Sequence, residues 1–412
     1  MRVMRPTRIA LIIAVTLVLL SCGSNEQDTL AREKLFELQI GRMEDQLDML
    51  FLNGEPLRQK TRILMRNGLF YIANGNAAKV MEFSSYGDIL SLYYNPEVNP
   101  SPILLHDSNT DTLSQQKKAN RRAFEYHFRE VGEIGINSEK MLLVEDKVSP
   151  IQQEFDSELQ VMLNRVVLRF DADGRLVDYL GQEGPGGTPF PYIESLQVTE
   201  RDEIVVIARS LERWLVYWFS KNGSLLYQVS LSRRNLPVPE GVELQPSLGS
   251  VQADIDERLL YLKVDYYGSD DEESSSSRNV RFHNSRIWWF DLERAEFLGS
   301  VGVPQNAEDL QISEFDEAKR VQILYELIGN TEGNVFFLMS HHAGDLFEIV
   351  LLKRDGKVLS RFYLEIPEKS VEFRDFHLSH DGILSALLVK EYLADVVWWR
   401  TDRILEDQSE NS

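Results

Sequence analysis

The chain has 412 residues, of which 43% are hydrophobic and 10% aromatic, so it can bury a folded core and is not a disordered stalk. Its formal net charge of −21 repels phosphate groups, which excludes nucleic acid as an expected partner. Cys22 is the only cysteine, and this excludes an intramolecular disulfide and a cysteine-rich metal site.

Residues 1–21 have the layout of a secretory signal peptide. Three arginines precede an uncharged apolar run of about a dozen residues, which is shorter than the roughly 20 residues of a membrane-spanning helix. The sequence Leu-Leu-Ser-Cys at 19–22 resembles the bacterial lipobox. We therefore predict cleavage before Cys22, lipid on the Cys22 thiol and a lipidated tether over 22–28. An ordinary signal peptide followed by an unrelated cysteine, or an uncleaved anchor, is the alternative.

Residues 29–52 have a helical pattern. Their apolar residues recur at intervals of four and three and would form one stripe on a helix; they are Phe36, Ile40, Met43, Leu47 and Leu50. We predict an amphipathic helix here, packed either on the following domain or on a partner helix.

From residue 60 onward the pattern changes to short strands joined by tight turns. Six similar units follow, and we mark each by one apolar residue near a strand end: Phe83, Phe170, Phe219, Phe290, Leu352 and Trp399. The two shortest spacings between these markers, 47 and 49 residues, match the roughly 40–50 residues of a propeller blade. We therefore predict an all-β fold over 60–405, a six-bladed β-propeller with seven blades as the alternative, and a disordered tail at 406–412.

Two segments interrupt the repeat. Residues 96–133 contain a polar and basic run, and residues 268–281 contain an acidic run followed by four serines. The second segment is typical of a solvated loop. Its carboxylates lack the spacing and the glycine of an ordered calcium loop, so we do not expect a calcium site there.

The first unit resembles an NHL-type repeat. Residues 69–74 form a hydrophobic strand that ends in Ala-Asn, an asparagine-rich turn follows, and the strand at 79–83 ends in Phe before a glycine turn. The Gly-Gln-Glu-Gly sequence at 181–184 is similar to the linker between such repeats. As a whole the chain resembles NHL-like propeller lipoproteins of spirochaete-type bacterial envelopes. The resemblance implies a ring of four-stranded blades used for binding, with no shared catalytic chemistry.

Two histidine clusters are the candidate metal ligands. His341 and His342 adjoin each other, and His377 and His380 form a His-x-x-His pattern. Both clusters lie next to glycine and aspartate in sequences typical of turns, so we interpret these histidines as turn residues and expect no cofactor. The sequence contains no Gly-x-Ser-x-Gly elbow, no Walker loop and no His-Glu-x-x-His motif.

These features predict a lipoprotein held to a membrane of a bacterial cell envelope, on the periplasmic side or the cell surface. Its propeller would bind an envelope protein or polymer. A propeller enzyme, either a metal-dependent hydrolase or a quinone-type dehydrogenase working at the central channel, is the alternative.

The last unit lacks an obvious outer strand, and a ring of blades stays open unless one blade takes strands from both ends of the chain. The strand at 62–65 has no assigned blade. We predict that it closes the ring by pairing with 396–399.

Overall fold

The computed structural model describes these residues: 29–49, 59–107, 122–239, 243–269, 280–310, 319–342, 346–366 and 370–410. The predicted signal peptide, Cys22 and the tether at 22–28 lie outside the described residues, as does most of the predicted serine-rich loop. In the described part of the chain, no helix has the length and apolar character needed to cross a membrane.

The described strands form six blades and the ring is a six-bladed β-propeller. Each blade has four antiparallel strands, and blade 2 has a short fifth one at its outer edge. This confirms the all-β fold and the first choice of six blades. The first strand, β1 (Glu33–Gln39), belongs to the last blade. Blade 1 has four antiparallel strands, extended outward by two short parallel ones. Its strands are β2 (Thr61–Arg66), β3 (Leu69–Asn74), β4 (Lys79–Phe83), β5 (Ile89–Tyr94), β6 (His106–Asp107) and β7 (Arg122–Glu125).

Blades 2 and 3 follow in chain order, and a separate hairpin interrupts blade 2. Blade 2 and its hairpin contain β8 (Ile134–Ile136), β9 (Leu142–Lys147), β10 (Glu154–Asp156), β11 (Val161–Leu163), β12 (Arg165–Phe170), β13 (Leu176–Gly181) and β14 (Gly184–Pro185). The hairpin consists of β10 and β11. Blade 3 contains β15 (Tyr192–Val198), β16 (Ile204–Arg209), β17 (Arg213–Phe219) and β18 (Leu225–Ser232).

Blades 4 and 5 are separated by a second hairpin, made of β23 and β24. Blade 4 and this hairpin contain β19 (Gln245–Ala253), β20 (Leu259–Ser269), β21 (Val280–Asp291), β22 (Glu296–Gly302), β23 (Asn306–Leu310) and β24 (Lys319–Ile323). Blade 5 contains β25 (Glu326–Thr331), β26 (Val335–His341), β27 (Leu346–Lys353) and β28 (Val358–Glu365).

Blade 6 takes strands from both ends of the chain. Its C-terminal strands are β29 (Phe373–Leu378), β30 (Leu384–Val389) and β31 (Leu393–Trp399), and β1 pairs with β31 as the outermost strand. Helix α1 (Thr401–Glu410) follows β31. The ring is therefore closed by pairing of the two ends of the described chain, as the sequence predicted, although by a different segment.

The tight turn between the third and fourth strands recurs because each copy has a glycine at the same position of the turn. In four blades the connection between the third and fourth strands contains a glycine with positive φ, and in blades 2 and 3 these are Gly174 at 79° and Gly223 at 89°. Each glycine N–H donates to the carbonyl three residues earlier, on Asp171 and Ser220 respectively. A β-carbon would be strained at such φ values, so these glycines fix where the strands reverse.

The apolar core lies between neighbouring blades rather than at one centre. The Tyr93 ring of blade 1 packs on Phe170 of blade 2 with centroids 5.2 Å apart, and Tyr261 of blade 4 meets Phe336 of blade 5 at 4.7 Å. Each blade therefore packs against a neighbouring blade on both of its faces. This explains why the second and third strands of most blades are almost wholly apolar.

The predicted helix over 29–52 is wrong, because residues 33–39 form β1 and the following residues bend back on themselves. Phe36 and Leu38 are both buried, and their spacing of two is that of a strand. A strand can satisfy the open backbone groups of β31, which a helix cannot do. Tertiary pairing therefore overrides the local helical pattern.

Three related boundaries also change. Residues 62–65 lie in β2, the inner strand of blade 1, and do not pair with 396–399, because β1 already occupies that edge. The propeller therefore starts at Glu33 rather than at residue 60. Residues 406–410, predicted as disordered, continue α1, in which Ile404 and Leu405 pack against the apolar cluster of blades 5 and 6.

Candidate functional site

The connections between strands divide the ring into two unlike faces. Because strands alternate in direction within a blade, the first-to-second and third-to-fourth connections share one face, here called the turn face. All of these have two to five residues. Every longer connection lies on the opposite face, here called the insertion face. The longest of them are 95–133, 303–325, 40–60 and 148–164.

The inner strands of the six blades surround a central cavity of about 470 Å³. It opens on the turn face, where the lining residues Asn67 and Glu200 are exposed. Its walls are largely polar, and the charged or amide side chains that line it include Arg62, Arg66, Glu133, Gln197, Gln252 and Asp375. The volume falls within the range of small-molecule sites, roughly 300–1,000 Å³.

Several polar side chains of the channel are used to join neighbouring blades. The Ile63 N–H donates to Oδ2 of Asp375 at 2.7 Å, and the Met65 N–H donates to Nδ1 of His377 at 3.2 Å. Both contacts attach β2 of blade 1 to β29 of blade 6. They provide acceptors for backbone N–H groups of β2 that would otherwise face the channel without a hydrogen-bond partner.

Burial shifts the pKa of both groups. It lowers the pKa of His377 to about 3, so the imidazole is neutral and its proton lies on Nε2 while Nδ1 accepts. Burial raises the pKa of Asp375 to about 7, even though Arg62 and the Ile63 N–H favour the carboxylate. Such shifts are typical of catalytic groups, but here one atom of each side chain, Nδ1 of His377 and Oδ2 of Asp375, accepts a hydrogen bond from β2.

An ion network closes the channel toward the insertion face. Lys60, from the segment before β2, lies with its Nζ 2.8 Å from Glu145, 3.1 Å from Glu133 and 4.4 Å from the ring centre of Tyr192. Its Nζ also donates to the Ile193 carbonyl at 2.5 Å. Burial alone would lower the pKa of Lys60, but the two glutamates outweigh it and raise that pKa, so Lys60 carries its charge. This side chain joins blades 1, 2 and 3.

The predicted histidine pair of blade 6 is divided between two environments. His377 is half-buried and lines the channel, whereas His380 lies in the turn at the channel mouth. His380 contacts the carboxylate of Glu200, which belongs to blade 3 on the opposite side of the ring. The turn itself is as predicted, since the Gly382 N–H donates to the Ser379 carbonyl at 2.9 Å.

His341 and His342 lie at the insertion-face end of blade 5, far along the chain from the other pair. The His341 ring stacks on Phe347, with centroids 4.6 Å apart. His342 Nε2 is 3.0 Å from Glu348, a buried carboxylate that also accepts hydrogen bonds from Tyr325 and Arg361 at 2.7 Å each. The four histidines therefore do not converge. Within the described ranges, no group of three or more His, Cys, Asp or Glu side chains could hold a metal ion.

The insertion face carries exposed apolar side chains on the β10–β11 hairpin. Phe155 is 59% exposed and Met162, its cross-strand partner, is 43% exposed, while Ile151 just before the hairpin is 97% exposed. The hairpin is connected to blade 3 by an ion pair between Glu158 and Arg213, 2.9 Å apart. Exposed apolar side chains grouped on one hairpin are typical of a recognition element.

Sequence reasoning missed both Glu348 and the Lys60 network. Nothing in the sequence distinguishes Lys60 from a surface lysine, because Glu133, Glu145 and Tyr192 come from other blades. The local signals of buried carboxylates are the apolar run of β9, which Glu145 directly follows, and Glu348 within the apolar strand β27. The exposed β10–β11 hairpin was missed as well.

No family model matches the chain, and no curated protein matches it. Among solved structures, a polysaccharide lyase Uly1 has a TM-score of 0.41 at 7% identity, covering 89% of this chain and 99% of its own. A member of the DUF4221 family from Bacteroides vulgatus has a TM-score of 0.38 at 10% identity, covering 90% and 99%. The β-propeller domain of Cps50 (Swd1) from Myceliophteria thermophila has a TM-score of 0.41 at 8% identity, covering 90% and 100%.

The likeness to NHL-type repeats and to spirochaete-type envelope lipoproteins stays a prediction. The fold is established by the strand pairing of this chain, which forms six blades and closes the ring with β1.

Proposed function

We propose that the chain is a non-catalytic binding module of a bacterial cell envelope, tethered to a membrane through lipid on Cys22. Its partner would be an envelope protein or polymer bound on the insertion face. The observation that supports this most directly is the unequal distribution of the connections, since every long one lies on one face. Loops positioned by a rigid scaffold are where binding residues concentrate, and long ordered insertions are usually functional.

The enzyme alternative is less well supported by the channel. A catalytic reading would use His377 and Asp375, the two groups there with the most perturbed pKa values. His377 Nδ1 and Asp375 Oδ2 each accept a backbone N–H from β2. Reaction at either atom would break a hydrogen bond that joins blade 1 to blade 6, so we assign both groups to the architecture of the ring.

The anchor is tested by Cys22→Ala. The chain has no other thiol that could take the lipid, so metabolic labelling with a fatty-acid analogue is expected to disappear completely and the protein to leave the membrane fraction. Cys22→Ser should give the same result. Labelling that persists in either variant would rule out the tether.

Recognition by the insertion face is tested by photo-crosslinking in intact cells. The photoreactive amino acid p-benzoylphenylalanine replaces either Phe155 or Tyr86, two exposed aromatic residues on opposite faces, 59% and 88% exposed. We expect a discrete crosslinked product from position 155 and none from position 86. Equal products from both positions, or a product from 86 alone, would contradict the proposal.

A further inference from the structure

A second cavity lies on the insertion face, between blades 3 and 4. We propose that this groove binds a saccharide that carries carboxylate groups, such as a segment of a uronate-containing polymer. The inference deepens the proposed function, on which it rests, by naming the class of ligand. The groove has a volume of about 500 Å³, within the range of roughly 300–1,000 Å³ found for small-molecule sites.

The floor and walls of the groove come from four parts of blades 3 and 4. The adjacent ends of β16 and β17 contribute Arg209, Arg213 and Trp214, the segment after β18 contributes Arg233, β19 contributes Gln245 and Ser247, and the β20–β21 hairpin contributes Tyr267. Leu231 and Leu236 are buried beneath them and pack into the core of blades 3 and 4. The polar and aromatic side chains of the groove therefore lie above a packed apolar core rather than on a loop without core contacts.

Charge distinguishes this groove from the rest of the surface. Three arginines line it against one glutamate, Glu212, although the whole chain has a formal net charge of −21. Arg209 pairs with Glu194 at 3.4 Å and Arg213 pairs with Glu158 at 2.9 Å, and such solvent-accessible pairs are weak enough to exchange with a ligand. Arg233 hydrogen-bonds a neutral amide, Gln245. With Glu212 and the two ion-pair partners counted, three acids face three arginines, so an anion would bind by pairing with Arg233 and by displacing Glu194 or Glu158.

The arrangement of the arginines favours carboxylates. The guanidinium of Arg209 lies 4.8 Å from the ring centre of Trp214, which orients its donor edge away from the ring. A guanidinium fixed in this way can donate two parallel hydrogen bonds to one carboxylate.

The remaining lining favours a saccharide over a peptide. Aromatic rings such as Trp214 and Tyr267 pack against the apolar faces of sugar rings, and the side chains of Gln245, Ser232 and Ser247 can hydrogen-bond sugar hydroxyls. Acidic peptides are also bound by clusters of arginines, but that binding needs no aromatic ring. Binding that depends on Trp214 therefore distinguishes a saccharide from an acidic peptide.

The test is titration calorimetry on the full-length chain in detergent, with short oligomers of galacturonate, of mannuronate and of the glucuronate-containing hyaluronan as probes. A neutral galactose trisaccharide and hexaglutamate serve as comparison ligands. We expect at least one uronate oligomer to bind and the neutral trisaccharide not to bind. Arg233→Gln should weaken binding roughly ten- to a hundred-fold, as expected for loss of a charged hydrogen bond.

The matched control is Arg175→Gln, which removes the same charge from the turn face, where Arg175 is 77% exposed. It should leave affinity unchanged. Trp214→Leu, with thermal unfolding to verify folding, should abolish binding of the uronate oligomer. Arg233 is itself exposed, so Arg233→Gln tests the groove even if Trp214→Leu fails to fold.

Two results would overturn the inference. The first is that none of the three uronate oligomers binds. The second is that hexaglutamate binds as tightly as the uronate oligomers and still binds to the Trp214→Leu variant. In either case a crosslinked partner at position 155 would leave the proposed function intact. Conversely, if uronate binds but position 155 gives no crosslink, the groove proposal stands and only partner recognition through the β10–β11 hairpin is contradicted.

Discussion

A chain that begins at Gly41 is expected to lose cooperative folding, whereas a chain that begins at Thr29 keeps it. The first lacks β1 and the second retains it. The strand β1 pairs with β31 from Glu33 opposite Trp398 to Gln39 opposite Leu393, and the Trp398 indole N–H donates to Glu33 at 2.9 Å. Without β1 the edge of β31 is open and available for pairing with other chains.

The strand also joins blade 6 to blade 1. The Phe36 ring, 8% exposed, lies 5.7 Å from Phe70 and 5.5 Å from Phe83 between ring centres. Phe36→Ala alone should therefore cost about 3–5 kcal/mol of the free energy of unfolding, as for other buried phenylalanines. Glu37→Ala, at an exposed position of the same strand, should change it by less than about 0.5 kcal/mol.

Thermal unfolding and size-exclusion chromatography measure the outcome. The Thr29 chain should melt at the temperature of the full-length protein and elute as it does, while the Gly41 chain should melt broadly or aggregate. A Gly41 chain that elutes at the volume of the Thr29 chain and melts with it would show that β1 does not close the ring.

The outcome at β1 shows what the sequence could and could not predict. Turns such as 171–174 and 220–223 were predictable because a glycine with positive φ is required within four residues of the strand end. The outer strand of blade 6 was not predictable, because Phe36 fits two patterns. It belongs to the apolar stripe of a helix, and with Leu38 it also fits the alternation of a strand. The choice depends on β31, which lies some 360 residues later in the chain.

The same distinction applies to the channel. The sequence identified His377 as a candidate metal ligand. The group that fixes the tautomer of its ring is the Met65 N–H, 312 residues away in the chain. Local pattern predicts that a position is buried. It does not predict which backbone group the side chain will meet, because that depends on how blade 6 lies beside blade 1.

The second large effect is expected for Lys60→Met. Lys60 is 12% exposed, and its Nζ lies between Glu145, whose side chain is fully buried, and Glu133, which is 10% exposed. Methionine fills a similar volume but leaves the two carboxylates without that cation. Removal of one partner from a buried ion pair typically costs 3–5 kcal/mol, and we expect about this loss in the free energy of unfolding.

Denaturant unfolding of three variants tests this prediction. Lys221→Met removes a lysine that is 56% exposed with its nearest acidic oxygen 4.0 Å away, so it should change stability by less than about 0.5 kcal/mol. Lys60→Met combined with Glu145→Gln should recover part of the loss, because one buried charge is removed with its partner. A Lys60→Met protein that unfolds at the same denaturant concentration as Lys221→Met would contradict a structural role for the network.

The pH dependence of the Lys60→Met deficit gives an independent check. In the wild-type protein burial raises the pKa of Glu145, and the charge of Lys60 opposes that rise. Without Lys60 the pKa of Glu145 should rise further in the folded variant, so the folded state binds a proton more readily than the unfolded one. The deficit relative to wild type should therefore shrink as the pH falls from 7 toward about 4, where the Glu145 carboxyl becomes neutral. A deficit that stays constant over this range would indicate that methionine disturbs packing rather than charge.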